Sequence, residues 1–150
     1  MQGYYSRPEE TQKAIDRDGY MHTGDVAIMD EDGFLRLVDR TKDMINVGGF
    51  KVFSSKVEDT IAKHPAVGMI ALVGVDNPKR PGSEIVKGFV QLDAGYDYDG
   101  NESALQEDII RFANENCSPY EVPKMIEIIA EMPLTAVGKI DKKVLRVQKK

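Results

Sequence analysis

Residues 67–92, VGMIALVGVDNPKRPGSEIVKGFVQL, decide the fold of this chain. Residues 67–75 and 85–92 are apolar runs rich in β-branched side chains, a composition typical of buried strands. Residues 76–83 between them contain two prolines and one glycine, which favour a turn and interrupt a strand. The stretch therefore predicts two neighbouring core strands joined by a loop.

Helices are predicted on both sides of this strand pair along the chain. Residues 55–58, SKVE, have the form of a capping box, and Val57 and Ile61 lie at helical spacing behind it. We expect that helix to stop at His64, which precedes a proline. Residues 103–106, SALQ, are predicted to cap a second helix that presents four apolar side chains to the core: Leu105, Ile109, Phe112 and Ala113.

Shorter elements complete the predicted core. Residues 44–52 predict a pair of short strands that turns at Gly48 and Gly49, and residues 125–129 predict a third core strand. A loop over residues 133–138 and a short helix that starts near Asp141 follow. The order β-α-β-β-α-β-α predicts an α+β fold in which helices flank a small central sheet.

A hairpin is predicted upstream of this core. Apolar residues on either side of the acidic turn DEDG at residues 30–33 indicate two strands within residues 26–37. Two strands alone are marginally stable in water, and no other strand is predicted before them. We therefore expect residues 1–40 to be the tail of a larger N-terminal domain and residues 41–150 to be a C-terminal domain. Without the rest of that sheet, we expect residues 1–40 to be disordered or to pair with another copy through exposed strand edges.

Composition restricts the function classes. The chain has 150 residues, 41% of them hydrophobic, and a formal net charge of -5. It lacks the basic excess of a nucleic-acid-binding protein, and we interpret the basic residues 142–150 as a helix end or a tail. No apolar run reaches the roughly 18 residues of a membrane span, and the first residues contain no apolar segment typical of signal peptides. Cys117 is the only cysteine, which excludes an internal disulfide and suits a reducing compartment; we expect it beneath the second helix.

Three clusters carry residue types that suit nucleotide chemistry, and each also has an ordinary structural interpretation. Asp25 follows a Thr-Gly turn, where its carboxylate can accept hydrogen bonds from the two hydroxyls of a ribose, or cap the turn. Arg40 offers a rigid fork of donors for ribose or phosphate oxygens, or belongs to a charged linker. Lys139, in a glycine-containing loop, can place a cation against a phosphate or carboxylate, or be a solvated surface residue.

Other chemistries lack their motifs. The chain contains neither the GxxxxGK[ST] phosphate loop nor GxGxxG. His22 and His64 stand apart, without the spacing of metal ligands, and the acidic turn at residues 30–33 lacks the later ligands of a calcium loop. We therefore predict no metal site within this chain.

Taken in order along the chain, these clusters resemble the adenylate-forming superfamily, which includes acyl-CoA synthetases, luciferases and the adenylation domains of peptide synthetases. Residues 19–59, GYMHTGDVAIMDEDGFLRLVDRTKDMINVGGFKVFSSKVED, resemble its core motifs. Residues 133–145, PLTAVGKIDKKVL, resemble its C-terminal lysine motif, and residues 3–11, GYYSRPEET, are similar to the segment before the first motif. The fatty-acyl-CoA synthetase branch is the most similar, judged from DGFLRLVDRTKDMI and the GFKV that follows.

The resemblance implies a role for each matching residue. Asp25 and Arg40 would contact the ribose of ATP or AMP. Lys42 would be the hinge about which a mobile C-terminal lid domain turns, and Lys139 would be the catalytic lysine of adenylation. In a second orientation of the lid, one loop would line the CoA tunnel, and it includes four residues expected near nucleotide or CoA: Asn46, Gly48, Gly49 and Lys51.

The resemblance also implies a reaction. An acyl-adenylate forms from a carboxylic acid and ATP with release of pyrophosphate, and CoA then displaces AMP. The chain would be the C-terminal part of such a ligase, with a fatty acid as the expected substrate, Mg²⁺ on the phosphates held by upstream ligands, and no activity in isolation. Its expected partners are its own N-terminal domain and small-molecule substrates, in the cytoplasm or at the periphery of a membrane. The alternatives are an enzyme that loads a carrier protein and a free-standing, non-catalytic α+β binding module.

Overall fold

The computed structural model describes residues 1–147, and its first compact unit is Met1–Lys42. This unit has one helix and two strands: α1 (Pro8–Ala14), β1 (Asp25–Met29) and β2 (Leu35–Arg40). Proline at the first position of α1 suits a helix start, because its missing N–H would have no partner there. The two strands pair antiparallel, so the predicted hairpin is confirmed. None of the residues of this unit is buried, and Phe34 on the hairpin is 73% exposed.

The second unit begins at Asp43 and contains the α+β core. Its strands form a hairpin and a three-stranded sheet: β3 (Ile45–Val47), β4 (Phe50–Val52), β5 (Val67–Asp76), β6 (Glu84–Leu92) and β7 (Met125–Ile128). Its described helices are α2 (Ser54–Ile61), α3 (Glu102–Asn116) and α4 (Lys142–Val147). The predicted fold class and the predicted order of elements are confirmed. No helix within residues 1–147 is long and apolar enough to cross a membrane.

The three-stranded sheet is the centre of the second unit. Its strand order is β5-β6-β7, with β6 antiparallel to β5 and parallel to β7. Successive side chains of a strand point to opposite faces, so the apolar run over residues 67–76 supplies both faces at once. For this reason the run is continuously apolar and does not alternate between apolar and polar residues.

Each face of the sheet has its own apolar cluster. Ile70 and Leu72 of β5 belong to the cluster that includes the buried residues of α2 and α3: Val57, Ile61, Leu105, Ile109 and Ala113. Ala71 and Val73 belong to the second cluster, with three further residues from β6, the loop after β7 and α4: Phe89, Met132 and Leu145. Helix α4 is thereby fixed on the face opposite α2 and α3.

The start of α2 differs from the predicted capping box. The helix begins at Ser54, and Phe53 occupies the cap position without a side-chain cap hydrogen bond. The carboxylate of Glu58, the residue predicted to close that box, accepts a hydrogen bond from the Leu72 N–H of β5 at 2.6 Å. Glu58 therefore connects α2 to the central sheet.

The start of α3 also differs from the prediction. Asn101 is its N-cap, and its side-chain oxygen accepts a hydrogen bond from the Ala104 N–H at 3.2 Å. The prediction that Ser103 caps the helix is wrong by two residues, because Glu102 and Ser103 already lie inside the helix. The predicted inner face is confirmed for Leu105, Ile109 and Ala113, which are buried, whereas Phe112 is half-buried with its ring edge-on to that of His64.

Candidate functional site

Asp25 and Arg40 are brought together by the β1–β2 ladder. They are direct partners in its register, and Arg40 Nε lies 3.4 Å from Asp25 Oδ1. The turn before β1 is fixed by its backbone, since the Thr41 N–H donates to the Gly24 carbonyl at 2.8 Å. Thr23 Oγ1 accepts a hydrogen bond from the Asp25 N–H at 3.2 Å. The pair thus has a defined backbone on either side.

A shallow depression of about 300 Å³ lies beside this pair, lined by five residues: Thr23, Gly24, Arg40, Thr41 and Lys42. The Asp25 side chain is 29% exposed and that of Arg40 is 59% exposed, so both reach solvent. A carboxylate is an acceptor and a guanidinium is a donor, and together they match the hydroxyls of a diol or the oxygens of a phosphate. The arrangement is chemically suited to a ribose phosphate.

The glycine turn between β3 and β4 is held by side chains from the hairpin and from β6. Gly48 and Gly49 have φ angles of 63° and 100°, which favour glycine. The Gly48 N–H donates to Ser83 Oγ at 2.8 Å, and the Asn46 N–H donates to Glu84 Oε2 at 2.9 Å. Asn46 Oδ1 accepts from the Gly49 N–H at 3.2 Å, so its side chain supports the turn itself.

Two neighbours of this turn were missed by the sequence analysis. A Cβ at Gly48 would lie 2.7 Å from Arg80 Nη1, so an arginine from the β5–β6 loop rests against the turn. Phe50 stacks on Tyr120 with ring centroids 4.8 Å apart and planes 17° apart. Neither contact has a local sequence signal, because the partners are distant along the chain. Lys51 lies opposite Asn46 in the ladder.

Lys139 lies on a tight hairpin of its own. The Thr135 N–H donates to the Lys139 carbonyl at 2.7 Å, and the Gly138 N–H donates to the Thr135 carbonyl at 2.9 Å. Thr135 Oγ1 also accepts from the Lys139 N–H at 3.2 Å, and Gly138 has a φ of 76°. The Lys139 side chain is exposed, and among residues 1–147 no carboxylate forms an ion pair with it. The hairpin therefore presents a cation to solvent on a fixed backbone.

Two cations of α4 directly after this hairpin are half-buried and form ion pairs. Lys142 Nζ lies 2.6 Å from Glu58 Oε1 and 2.9 Å from Ser54 Oγ, both on α2. Arg146 Nη2 lies 2.5 Å from Asp43 Oδ1. The interpretation of residues 142–150 as a helix end is correct for α4, and residues 148–150 lie outside the described residues.

The remaining titratable candidates have structural roles. His64 is buried, and its Nδ1 accepts from the Ala66 N–H while its Nε2 contacts Asp108 at 3.2 Å. Cys117 is half-buried at the C-terminal end of α3, and burial raises the pKa of its thiol, with the Glu121 charge adding to the effect and Lys56 opposing it. Among residues 1–147, no group of three or more His, Cys, Asp or Glu side chains is placed to hold a metal ion.

The predicted residues therefore occupy three places. Asp25 and Arg40 pair in the first unit, and Lys42 is its last residue. In the second unit, one hairpin and its turn hold four of them: Asn46, Gly48, Gly49 and Lys51. Lys139 lies on the separate hairpin before α4.

Known proteins share both the sequence and the fold. The family model described as the AMP-binding enzyme C-terminal domain matches residues 56–139. A long-chain-fatty-acid–CoA ligase of Escherichia coli O6:H1 is 42% identical over 146 residues, which cover 97% of this chain and 24% of that protein. The chain thus spans about a quarter of the length of the curated relatives it matches.

Solved structures agree with this fold. The amide bond synthetase McbA from Marinactinospora thermotolerans superposes with a TM-score of 0.80 and 34% identity, over 100% of this chain and 29% of that one. ATP-bound MatB from Rhodopseudomonas palustris superposes with a TM-score of 0.83 and 28% identity, over 98% and 28% respectively. Because the family model matches more than half of its length, the chain belongs to the AMP-binding enzyme C-terminal domain family.

Proposed function

We propose that this chain is the C-terminal part of an ATP-dependent acyl-CoA synthetase. In this proposal residues 1–40 are the tail of the large AMP-binding domain and residues 41–150 are the mobile lid. The observation that carries the proposal is the state of Lys139: an exposed ammonium on a hairpin with a fixed backbone, without an ion-pair partner among residues 1–147 and within the region matched by the family model. A fatty acid is the proposed substrate, supported by the 42% identity to a long-chain-fatty-acid–CoA ligase.

In the first half-reaction, a carboxylate oxygen of the acid attacks the α-phosphorus of ATP, and the bond to the pyrophosphate oxygen breaks. Two anions must approach each other, and negative charge grows on the departing pyrophosphate. The Lys139 ammonium stabilises that charge, while Asp25 and Arg40 hold the ribose. Mg²⁺ would neutralise further phosphate charge, and the proposal places its protein ligands in the N-terminal domain.

In the second half-reaction, the thiol of CoA loses its proton, its sulfur attacks the acyl carbon of the adenylate, and AMP leaves with the electron pair of the broken C–O bond. The lid turns about Lys42 between the two steps, so that the glycine turn replaces the Lys139 hairpin at the reacting centre. Gly49 lies at the open side of this turn, where no atom lies within 4 Å of a Cβ built on it. Asn46 and Lys51 flank the same turn.

The test is Lys139→Ala in the complete ligase, with the two half-reactions measured separately. Acid-dependent ATP–pyrophosphate exchange is expected to fall by about 10²–10³-fold, the usual cost of removing one transition-state charge contact. Thioester formation from a supplied acyl-adenylate is expected to stay within about twofold, because Lys139 is remote from that step. Lys143→Ala is the matched control, an exposed lysine four residues away. Unchanged exchange in Lys139→Ala would refute the proposed role.

The same two half-reaction assays identify the acid that is activated and the acceptor to which the acyl group is transferred. Exchange that depends on long-chain acids supports the fatty-acid assignment, and exchange that depends only on short or aromatic acids contradicts it. Release of AMP that requires CoA supports a CoA ligase, whereas transfer to a carrier protein or an amine supports another acceptor. The cytoplasmic location predicted from the sequence stays a prediction.

A further inference from the structure

We propose that α4 anchors the Lys139 hairpin, and that Lys142 and Arg146 are the positioning residues that hold α4 in place. The inference rests on the proposed function, in which Lys139 acts in adenylation. Lys142 and Arg146 are four residues apart and therefore lie on one face of the helix. Leu145 between them is fully buried in the second apolar cluster. One apolar contact and two cations together dock the helix.

Lys142 reaches across to α2. Its Nζ contacts Glu58 Oε1 at 2.6 Å and Ser54 Oγ at 2.9 Å. The same Glu58 oxygen accepts from the Leu72 N–H of β5 at 2.6 Å. One carboxylate therefore joins α2, the central sheet and α4, and the Lys142 and Glu58 side chains are each only 16% exposed.

Arg146 reaches to the start of the second unit. Its Nη2 contacts Asp43 Oδ1 at 2.5 Å, with the two side chains 26% and 16% exposed. Asp43 directly follows Lys42, the proposed hinge. The pair thus joins the first residue of the unit to the helix behind Lys139, so that Lys139 would follow the start of the lid when the lid turns.

Backbone contacts connect α4 to the Lys139 hairpin, so the position of the helix determines that of the hairpin. Leu134 and Ile140 form an antiparallel bridge, and the Asp141 N–H donates to the Pro133 carbonyl at 2.8 Å. Only two residues separate Lys139 from Lys142. A helix of six described residues is too short to be stable without tertiary contacts, so its position depends on these anchors.

Partly buried ion pairs fit this role better than apolar contacts would. A charged pair that has left water must keep its geometry, because a broken pair leaves an uncompensated charge behind. Lys142 pairs with Glu58 and contacts Ser54, and Arg146 pairs with Asp43, so each cation is tied to named groups on another element or segment. A shift of about 1 Å in a catalytic group can cost about a hundredfold in rate. A hairpin that bears such a group therefore benefits from ion pairs that fix its position.

The test uses the complete ligase with Arg146→Ala, Lys142→Met and the double variant. ATP–pyrophosphate exchange is expected to fall about 10–100-fold in kcat, with the KM for ATP unchanged within about twofold. Thioester formation from supplied acyl-adenylate is expected to stay within about twofold. Arg146→Lys, which keeps the charge, should retain most of the exchange activity. Arg111→Ala is the matched control, because it removes an arginine that pairs with Asp108 on α3.

A second measurement separates this inference from the proposed function. Amide hydrogen exchange over residues 134–141 is expected to be at least about tenfold faster in Arg146→Ala and Lys142→Met than in the parent. Unchanged hydrogen exchange there, or an equal loss of both half-reactions in step with lost folded protein, overturns the anchoring role. Intact ATP–pyrophosphate exchange in Lys139→Ala overturns the proposed function instead, and hydrogen exchange then still decides whether the two cations hold the hairpin.

Discussion

Gly48 and Gly49 are adjacent glycines with different physical requirements. Both have positive φ, which side chains adopt only with strain. At Gly48 an added Cβ would also meet Arg80 Nη1 at 2.7 Å, whereas at Gly49 it would meet no atom within 4 Å. A Cβ at Gly48 would therefore require the flexible Arg80 guanidinium to move aside, whereas at Gly49 the positive φ alone favours glycine.

Single residues differ in how far the sequence predicts them. Asp25 begins β1 and Arg40 ends β2 of one hairpin, so a hairpin prediction with the correct register brings them together. Lys142 and Arg146 carry no such signal, because their partners Ser54 and Asp43 lie 88 and 103 residues away. Local sequence shows only a basic helix end there, and tertiary contact decides that both cations point inward.

The Cys117 thiol carries a pH prediction. Burial raises its pKa above the ordinary value, and Glu121 adds to the shift. Because the folded state disfavours the thiolate, alkylation by iodoacetamide should be slower at neutral pH than for a free cysteine, whose pKa is about 8.5. The alkylation rate should rise at a higher pH than it does for a free cysteine. The contribution of the neutral thiol to the free energy of unfolding should be lost as the pH rises through the raised pKa.

The same measurement has internal references. The urea-unfolded chain should show the ordinary thiol pKa, and Glu121→Gln should lower the pKa of folded Cys117 without restoring the ordinary value, since burial is the larger cause. A folded chain whose alkylation profile coincides with that of the unfolded chain would contradict the role assigned to burial.

At the scale of elements, the sequence predicts which helices and strands exist, and their order, better than it predicts the residue at which a helix starts. The strands at residues 67–75 and 85–92 are predicted within one residue, because long apolar runs between turn residues leave few alternatives. The predicted capping box places the cap of α2 at Ser55, whereas the helix begins at Ser54 with Phe53 at the cap position. The contact of Glu58 with the Leu72 N–H has no local sequence signal, because only the folded chain brings Leu72 within reach.

The N-terminus of α3 offers a direct test of its cap. Asn101→Ala removes the side-chain oxygen that accepts from the Ala104 N–H, and the free energy of unfolding should fall by about 1 kcal/mol. Ser103→Ala, at the start that the sequence suggests, should change it by less than about 0.5 kcal/mol, because Ser103 already lies inside the helix. Urea unfolding of the two variants gives the comparison, and the reverse order of effects would assign the cap to Ser103.

At the scale of the whole molecule, the two units differ in what stabilises them. The second unit buries two apolar clusters on the faces of its sheet. The first unit has no buried residue, and its hairpin exposes Phe34, Leu35 and Leu37 at 69–73%. Burial of apolar surface is the main favourable contribution to folding, so the second unit has the means to be stable and the hairpin of the first unit does not.

This contrast predicts a difference in amide hydrogen exchange. In the chain of residues 1–150, amides of β1 and β2 should exchange rapidly, because a two-stranded ladder without buried side chains opens at little cost. Amides of β5 and β6, which lie in the buried sheet, should exchange slowly. In the complete ligase, the proposed large domain would cover the hairpin, and its amides should slow by several orders of magnitude. Equal, strong protection of β1–β2 and β5–β6 in the monomeric chain would show that the hairpin needs no further domain, and would remove the argument for assigning residues 1–40 to one.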